Sequence, residues 1–216
     1  MRYDSVIFDL DGTLLNTLDD LAAAVNYALS QKGYPTRTVQ QVCRFVGNGV
    51  EKLMRRAVPA DTPEEEIMDA LSVFKAYYAR HNNDVTAPYP GIREMLAQLK
   101  EAGVRMAIVS NKNDPNVKAL ARMYFPDTIS LAVGEGNGVR PKPCPDSVLH
   151  VMNQWHSTPD RTLYVGDSDV DIQTAQNAGV DCASVCWGFR PEEELRHSGA
   201  TLLIHTAGEL KALICG

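Results

Sequence analysis

Two aspartates one residue apart, Asp9 and Asp11, follow a short apolar run, Ser5-Val6-Ile7-Phe8, and precede Gly12-Thr13-Leu14. In an extended chain residues i and i+2 face the same side. Both carboxylates therefore project together from a strand end, where their repulsion calls for a cation, a proton or a catalytic task. Alone, the pair also reads as a solvated Asp-Gly turn. Three further segments change that balance. The apolar run 106–109 leads into Ser110-Asn111-Lys112. A hydroxyl there, ahead of a helix start, suits a phosphate oxygen together with nearby backbone N–H groups, or serves as an N-cap. Arg140-Pro141-Lys142-Pro143 lies in a loop whose prolines restrict the backbone and fix where Lys142 points. By itself it reads as a surface lysine. The run 163–165 leads into Gly166-Asp167-Ser168-Asp169-Val170-Asp171, three acids in five positions that require a cation or solvent. Asp169 there could simply cap the next helix.

Strand ends must position such groups. The runs 5–8, 106–109, 129–133, 163–165, 183–185 and 202–204 are continuous and apolar, as in strands buried on both faces of a parallel sheet. Helical spacing separates them. Ile92, Met95, Leu96 and Leu99 recur ahead of Gly103, and Val117, Leu120, Ala121 and Tyr124 follow Asp114-Pro115 as N-cap and first turn. Further faces come from Val148, Leu149 and Met152, and from Ile172, Ala175 and Ala178 before Gly179. The alternation predicts an α/β fold, a doubly wound parallel sheet. From about Thr17 to Asp84 only helical patterns occur, marked by Leu18 to Leu29, Glu51 to Val58, and Ile67, Leu71, Phe74 and Tyr78. Residues 16–86 are therefore expected to form a small helical domain inserted in a core of residues 1–15 and 87–216.

The 216 residues carry a net charge of −6 and are 44% hydrophobic, which fits a globular protein and not a disordered one. Lys and Arg are scattered and outnumbered, so no basic nucleic-acid face is expected. No apolar run approaches the roughly 20 residues of a membrane span, and the start of the chain shows no signal-peptide pattern. Cys43, Cys144, Cys182, Cys186 and Cys215 show no CxxC spacing, which suits free thiols in a cytoplasmic protein. His81, His150, His156, His197 and His205 fall outside the four polar segments and read as structural or surface residues.

The ordered set Asp-x-Asp, Ser, Lys, Gly-Asp resembles the four-motif signature of the haloacid dehalogenase superfamily of phosphohydrolases, over essentially the whole chain. The resemblance implies Asp9 as the nucleophile that forms an aspartyl phosphate and Asp11 as general acid and base. It implies Ser110, Asn111 and the adjoining backbone as the phosphate cradle and Lys142 as the balancing cation. Asp9, Asp167 and Asp11, the last through its backbone carbonyl, would hold Mg2+, with Asp171 behind them. The physical need is plain. At ~4 Å and an effective dielectric near ~20, each unit charge of a phosphate repels ionised Asp9 by about 4 kcal/mol. Mg2+ and Lys142 would cancel that repulsion, and Mg2+ prefers oxygen ligands.

The inserted helices resemble the cap domain of one branch of that superfamily. Gly47-Asn48-Gly49, with Lys52, Arg55 and Arg56 expected on the following helix, resembles the cap loop of phosphoglycolate phosphatases. The activity implied is hydrolysis of a small phosphorylated metabolite, 2-phosphoglycolate, by a monomer or homodimer. The alternatives are a phosphosugar mutase, pyrophosphatase or nucleotidase of the same family, or a non-catalytic module that binds phosphorylated ligands.

Overall fold

A computed structural model describes residues 2–136 and 138–216; Met1 and Asn137 lie outside the described residues. In chain order the elements are β1 (Ser5–Phe8), β2 (Leu15–Asn16), α1 (Leu18–Gln31), α2 (Val39–Phe45), α3 (Val50–Ala57), α4 (Glu64–His81) and β3 (Ala87–Pro88). They continue with α5 (Ile92–Glu101), β4 (Arg105–Asn113), α6 (Asp114–Tyr124), β5 (Leu131–Glu135) and α7 (Asp146–Trp155). The last are β6 (Thr162–Gly166), α8 (Asp169–Ala178), β7 (Asp181–Val185), α9 (Glu192–His197), β8 (Leu202–Ile204) and α10 (Ala207–Cys215). Two compact units result, one of Met1–Leu15 and Pro88–Gly216, the other of Asn16–Ala87. The short strands β2 and β3 pair where the chain passes from one to the other.

The first unit is an α/β fold. Its sheet has the order β5-β4-β1-β6-β7-β8, and the strand pairs are parallel. The two-residue period of a strand splits each central strand between two cores. Val6 and Phe8, Met106 and Ile108, and Leu163 and Val165 face the layer of α5, α6 and α10. Ile7, Ala107, Val109 and Tyr164 face α7 and α8. Both faces being covered, the central strands carry unbroken apolar runs. The chain winds outward from β1 to β5, then crosses back to β6. β1 therefore sits where the winding reverses, the place at which open α/β sheets bind ligands.

Several boundaries differ from the sequence reading. β5 begins at Leu131, not Ile129, because the Ile129 N–H turns back to the Phe125 carbonyl. β4 does not stop at Val109. Its polar end stays extended to Asn113, which lies opposite Glu135 across a register shift. Helix α6 starts at Asp114 itself, with Asn113 as N-cap, so Asp114 is not the cap. Its buried carboxylate instead accepts the Gly134 N–H and pairs with Lys118. Ser168, not Asp169, caps α8. Helices α2, α9 and α10 are additions to the sequence reading, and α2 and α9 bury only one residue each, Val42 and Leu195. Helix α2 depends on a capping box between Thr38 and Gln41.

In the helical unit α1 packs on α2, α3 and α4 around Val25, Leu29, Leu53, Met54, Leu71 and Phe74. Buried Asp20, near the start of α1, accepts the N–H groups of Val85 and Thr86 and the Thr86 hydroxyl at 2.7 to 3.2 Å. One carboxylate thus ties the beginning of the unit to its end. Replacing it removes the acceptor shared by the Val85 N–H, the Thr86 N–H and the Thr86 hydroxyl. Asp20→Ala is expected to cost about 3 kcal/mol in urea unfolding; a loss below about 0.5 kcal/mol would show that these bonds only replace bonds to water.

Candidate active site

β1, β4 and β6 are adjacent in the sheet, so the polar segments that follow them meet at one edge. Asp9 leaves β1 with its N–H donating to the Val165 carbonyl at 2.8 Å. Its Oδ1 accepts the Leu10 N–H at 2.7 Å and lies 2.9 Å from Lys142 Nζ. Lys142 Nζ also reaches Asp171 Oδ1 at 2.7 Å and Tyr164 Oη at 3.1 Å. The Lys142 side chain is only 4% exposed, so the surface-lysine reading fails. Its backbone is held as well. Lys142 N–H donates to Asn111 Oδ1 at 2.7 Å, and Asn111 Nδ2 donates to the Lys142 carbonyl at 3.0 Å. The Asn111 side chain is thereby occupied, so its share in the expected phosphate cradle falls to its backbone.

Asp167 is buried beside them. Its Oδ1 accepts the Thr13 hydroxyl at 3.2 Å, and its Oδ2 accepts the Phe189 N–H at 2.7 Å. Two glycines make room for it. A Cβ on Gly12, whose φ is +86°, would stand 2.3 Å from Asp167 Oδ2, and one on Gly188 would stand 2.3 Å from Asp167 Cβ. Asp171 is fully buried. Its Oδ1 accepts from Tyr164 and Lys142, and its Oδ2 accepts from the Ser168 hydroxyl and from the N–H groups of Asp167 and Ser168. It is a positioning residue for Lys142 and for the 167–168 turn.

Asp9, Asp167 and Asp171 each bring an oxygen within 4.8 Å of the others. An oxygen-only set with neither His nor Cys suits a hard divalent cation. The Asp11 carboxylate is not in this group. Both its oxygens are held by Lys112 Nζ, at 2.9 and 3.0 Å. Any share of Asp11 in a cation site falls to its backbone carbonyl. The Ser110 hydroxyl, also buried, accepts the Lys112 N–H at 3.2 Å. Lys112 is the functional candidate that sequence reasoning named without assigning a role. Its position three residues after a strand run was a usable signal only once the bulged end of β4 was known. Thr13, Tyr164 and Phe189 were missed too, because their contributions are long-range contacts.

Charge explains why a cation belongs here. Burial first, then the charges of Asp171 and Asp11, push Asp9 up to about 7, although Lys142 pulls it down. Asp167 is also raised well above the usual carboxylate range, by burial and by Asp171 and Asp9. Burial opposes the charge on Lys142, yet Asp171 and Asp9 keep it firmly protonated. Asp9, Asp167 and Asp171 face one ammonium group, Lys142, and one divalent cation would neutralise the difference.

In the helical unit Gly47 and Gly49 have φ values of +124° and +85°. Asn48 Oδ1 accepts from Arg56 at 2.8 Å, and Arg56 also donates to the Phe45 carbonyl. Arg56 does lie on the next helix, and it reaches back to fix this loop. Lys52 and Arg55 share that helix, where Arg55 pairs with Glu51 and Glu64. The five cysteines are free. Among the described residues no helix is long and apolar enough to cross a membrane.

A family model described as haloacid dehalogenase-like hydrolase matches residues 6–185. The phosphoglycolate phosphatase of Pseudomonas putida KT2440 is 35% identical over 98% of this chain and 78% of its own length. Phosphoglycolate phosphatase 1 of Pseudomonas aeruginosa PAO1 is 35% identical over 95% of this chain and 77% of its own. A crystal structure from Lactobacillus delbrueckii subsp. bulgaricus, provisionally assigned as a phosphoglycolate phosphatase, has a TM-score of 0.95 at 36% identity and covers 99% of both chains.

The raised carboxylates have a consequence for stability. A carboxyl whose pKa is higher folded than unfolded binds more protons in the native state, so stability falls as pH climbs from the unfolded value toward the folded one. For Asp9 that window runs from 3.8 to about 7. A divalent cation competes with those protons. The rise in Tm on adding excess divalent cation is therefore expected to be larger at about pH 8 than at about pH 5. Calorimetry at both values checks this, and an equal rise would detach these carboxylates from cation binding.

Proposed function

The chain belongs to the haloacid dehalogenase-like hydrolases, and from that premise we propose that it is a Mg2+-dependent phosphatase acting on 2-phosphoglycolate. The observation that carries this reading is the Asp9 carboxylate. It is buried, 2.9 Å from Lys142, grouped with Asp167, and one residue from an Asp11 held by Lys112. A pure binding module has no use for such a nucleophile and acid pair. In the proposed reaction an Asp9 oxygen attacks phosphorus and the bond to the glycolate oxygen breaks, while Asp11 protonates that oxygen. Asp11 then takes a proton from the water that attacks the aspartyl phosphate, which releases phosphate and restores Asp9. Ser110 and the following backbone N–H groups would bind the phosphoryl oxygens. Lys142 balances the charge of Asp9.

Asp9 and Asp167 are the residues that would hold Mg2+, whose charge would offset the repulsion between nucleophile and phosphoryl group. Asp171 keeps Lys142 and the 167–168 turn in place. The substrate class rests on the two Pseudomonas enzymes at 35% identity, and Gly47-Asn48-Gly49 is proposed to help select it. The alternatives, a phosphosugar mutase, pyrophosphatase or nucleotidase, differ in product and substrate and not in the first chemical step.

A screen of small phosphoesters with Mg2+, ranked by kcat/KM, is expected to place 2-phosphoglycolate first. Another phosphoester at the head of the list would replace the substrate, and no phosphate release from any of them would overturn the reaction. Asp9→Asn should fold normally and lose about four orders of magnitude in kcat. Lys112→Met should lower kcat by about 10- to 100-fold with a smaller change in KM, and Lys112→Arg should recover part of the loss. An unchanged kcat in Lys112→Met would make that lysine structural only.

A further inference from the structure

A second group of ligand-type side chains lies outside the machinery just described. β7 and β8 pair in parallel with Val185 opposite Ile204. One residue beyond, Cys186 and His205 leave the same sheet edge, and the Cys186 N–H donates to the Ile204 carbonyl at 2.8 Å. Glu192, the first residue of α9, brings its carboxylate within 2.8 Å of His205 Nε2. A thiol sulfur, a carboxylate oxygen and an imidazole nitrogen thus lie within 4.8 Å of one another. None takes part in the proposed reaction.

The other side of the imidazole is also engaged. Glu209 Oε2 accepts the His205 backbone N–H at 2.8 Å and lies 3.6 Å from Nδ1. A carboxylate near the far ring nitrogen favours the tautomer that carries its proton on Nδ1 and leaves Nε2 to a metal. The His205 and Glu192 side chains are 52% and 38% exposed, so an ion can reach them. Mixed sulfur, nitrogen and oxygen donors suit Zn2+ or Co2+ and are poor partners for Mg2+.

We propose that Cys186, Glu192 and His205 bind a thiophilic divalent cation of the Zn2+ class, in a site separate from the carboxylate group, and that its occupancy acts on Asp167. Binding releases the thiol proton to solvent and leaves the fourth position to water. The link to Asp167 is short. Trp187 Nε1 donates to the Thr13 carbonyl at 3.0 Å, Gly188 packs against Asp167 with no room for a Cβ, and the Phe189 N–H donates to Asp167 Oδ2 at 2.7 Å. These three residues directly follow Cys186. A metal that draws in Cys186 therefore pulls on the segment that braces Asp167.

The test titrates Co2+ into the full chain in excess Mg2+, which fills the carboxylate site. A near-ultraviolet thiolate-to-Co2+ charge-transfer band saturating at one equivalent is expected in the wild type, and none in Cys186→Ser. Glu209→Gln should weaken the binding by about tenfold. A thermal melt of Cys186→Ser that matches wild type shows that loss of the band is loss of the ligand. No band in wild type, or a band that survives Cys186→Ser, overturns the site. This readout does not depend on the phosphatase reading. For the link, one equivalent of Zn2+ added to Mg2+-saturated protein should lower phosphate release at least tenfold in wild type and leave Cys186→Ser unaffected. An equal response in the two proteins, or none, overturns the action on Asp167.

Discussion

A lysine ammonium held between two buried carboxylates organises this edge of the sheet. Lys142 is 2.7 Å from Asp171 and 2.9 Å from Asp9, almost out of reach of water. Taking such charges out of water costs several kcal/mol per ion unless the remaining lone pairs and protons find partners. The surroundings supply them. Tyr164 and the capping box of α8 satisfy Asp171, the Leu10 N–H satisfies Asp9, and Asn111 clamps the Lys142 backbone from both sides. Four separate stretches of chain are therefore committed to one geometry. Their arrangement leaves Asp9 the member with the fewest such donors.

Close approach is the second constraint. Asp167 reaches the group only because Gly12 and Gly188 offer no Cβ on either side of it. Gly166 serves the same end, since a Cβ there would stand 2.3 Å from the Asp171 side chain. Like charges pressed together in this way are unfavourable by themselves, as the upward shifts of Asp9 and Asp167 express. A buried excess of carboxylate is what a cation-binding fold must hold ready before the ion arrives. The net charge of −6 over the chain had no bearing on this, because only the local balance at the strand ends matters.

Much of this was legible in the residues. The six sheet strands were announced by apolar runs, since strands covered on both faces need apolar side chains at successive positions. Asp9, Lys142 and Asp167 stood out because each follows a strand or is locked between prolines. What was not legible was partnership. Nothing in the residues around Asn111 shows that its side chain clamps Lys142. Lys112 looked incidental and holds Asp11. Thr13 and Phe189 carry no local signal, and they act across 154 and 22 residues of sequence.

The sequence by itself determined the class of fold, the edge at which chemistry collects and the residue types available there. Those follow from local rules: the period of a strand, the freedom of a glycine, the repulsion of paired carboxylates. Only the tertiary structure decided which lysine serves which aspartate, that Asp171 takes up Lys142, Tyr164 and the Ser168 hydroxyl together, and that Cys186, Glu192 and His205 meet at the neighbouring strand ends. The physical reason is that an ion pair or a ligand set is a matter of distance in space. Distance in space is set by the parallel register of β1 with β4 and β6, and of β7 with β8, which brings together residues far apart along the chain.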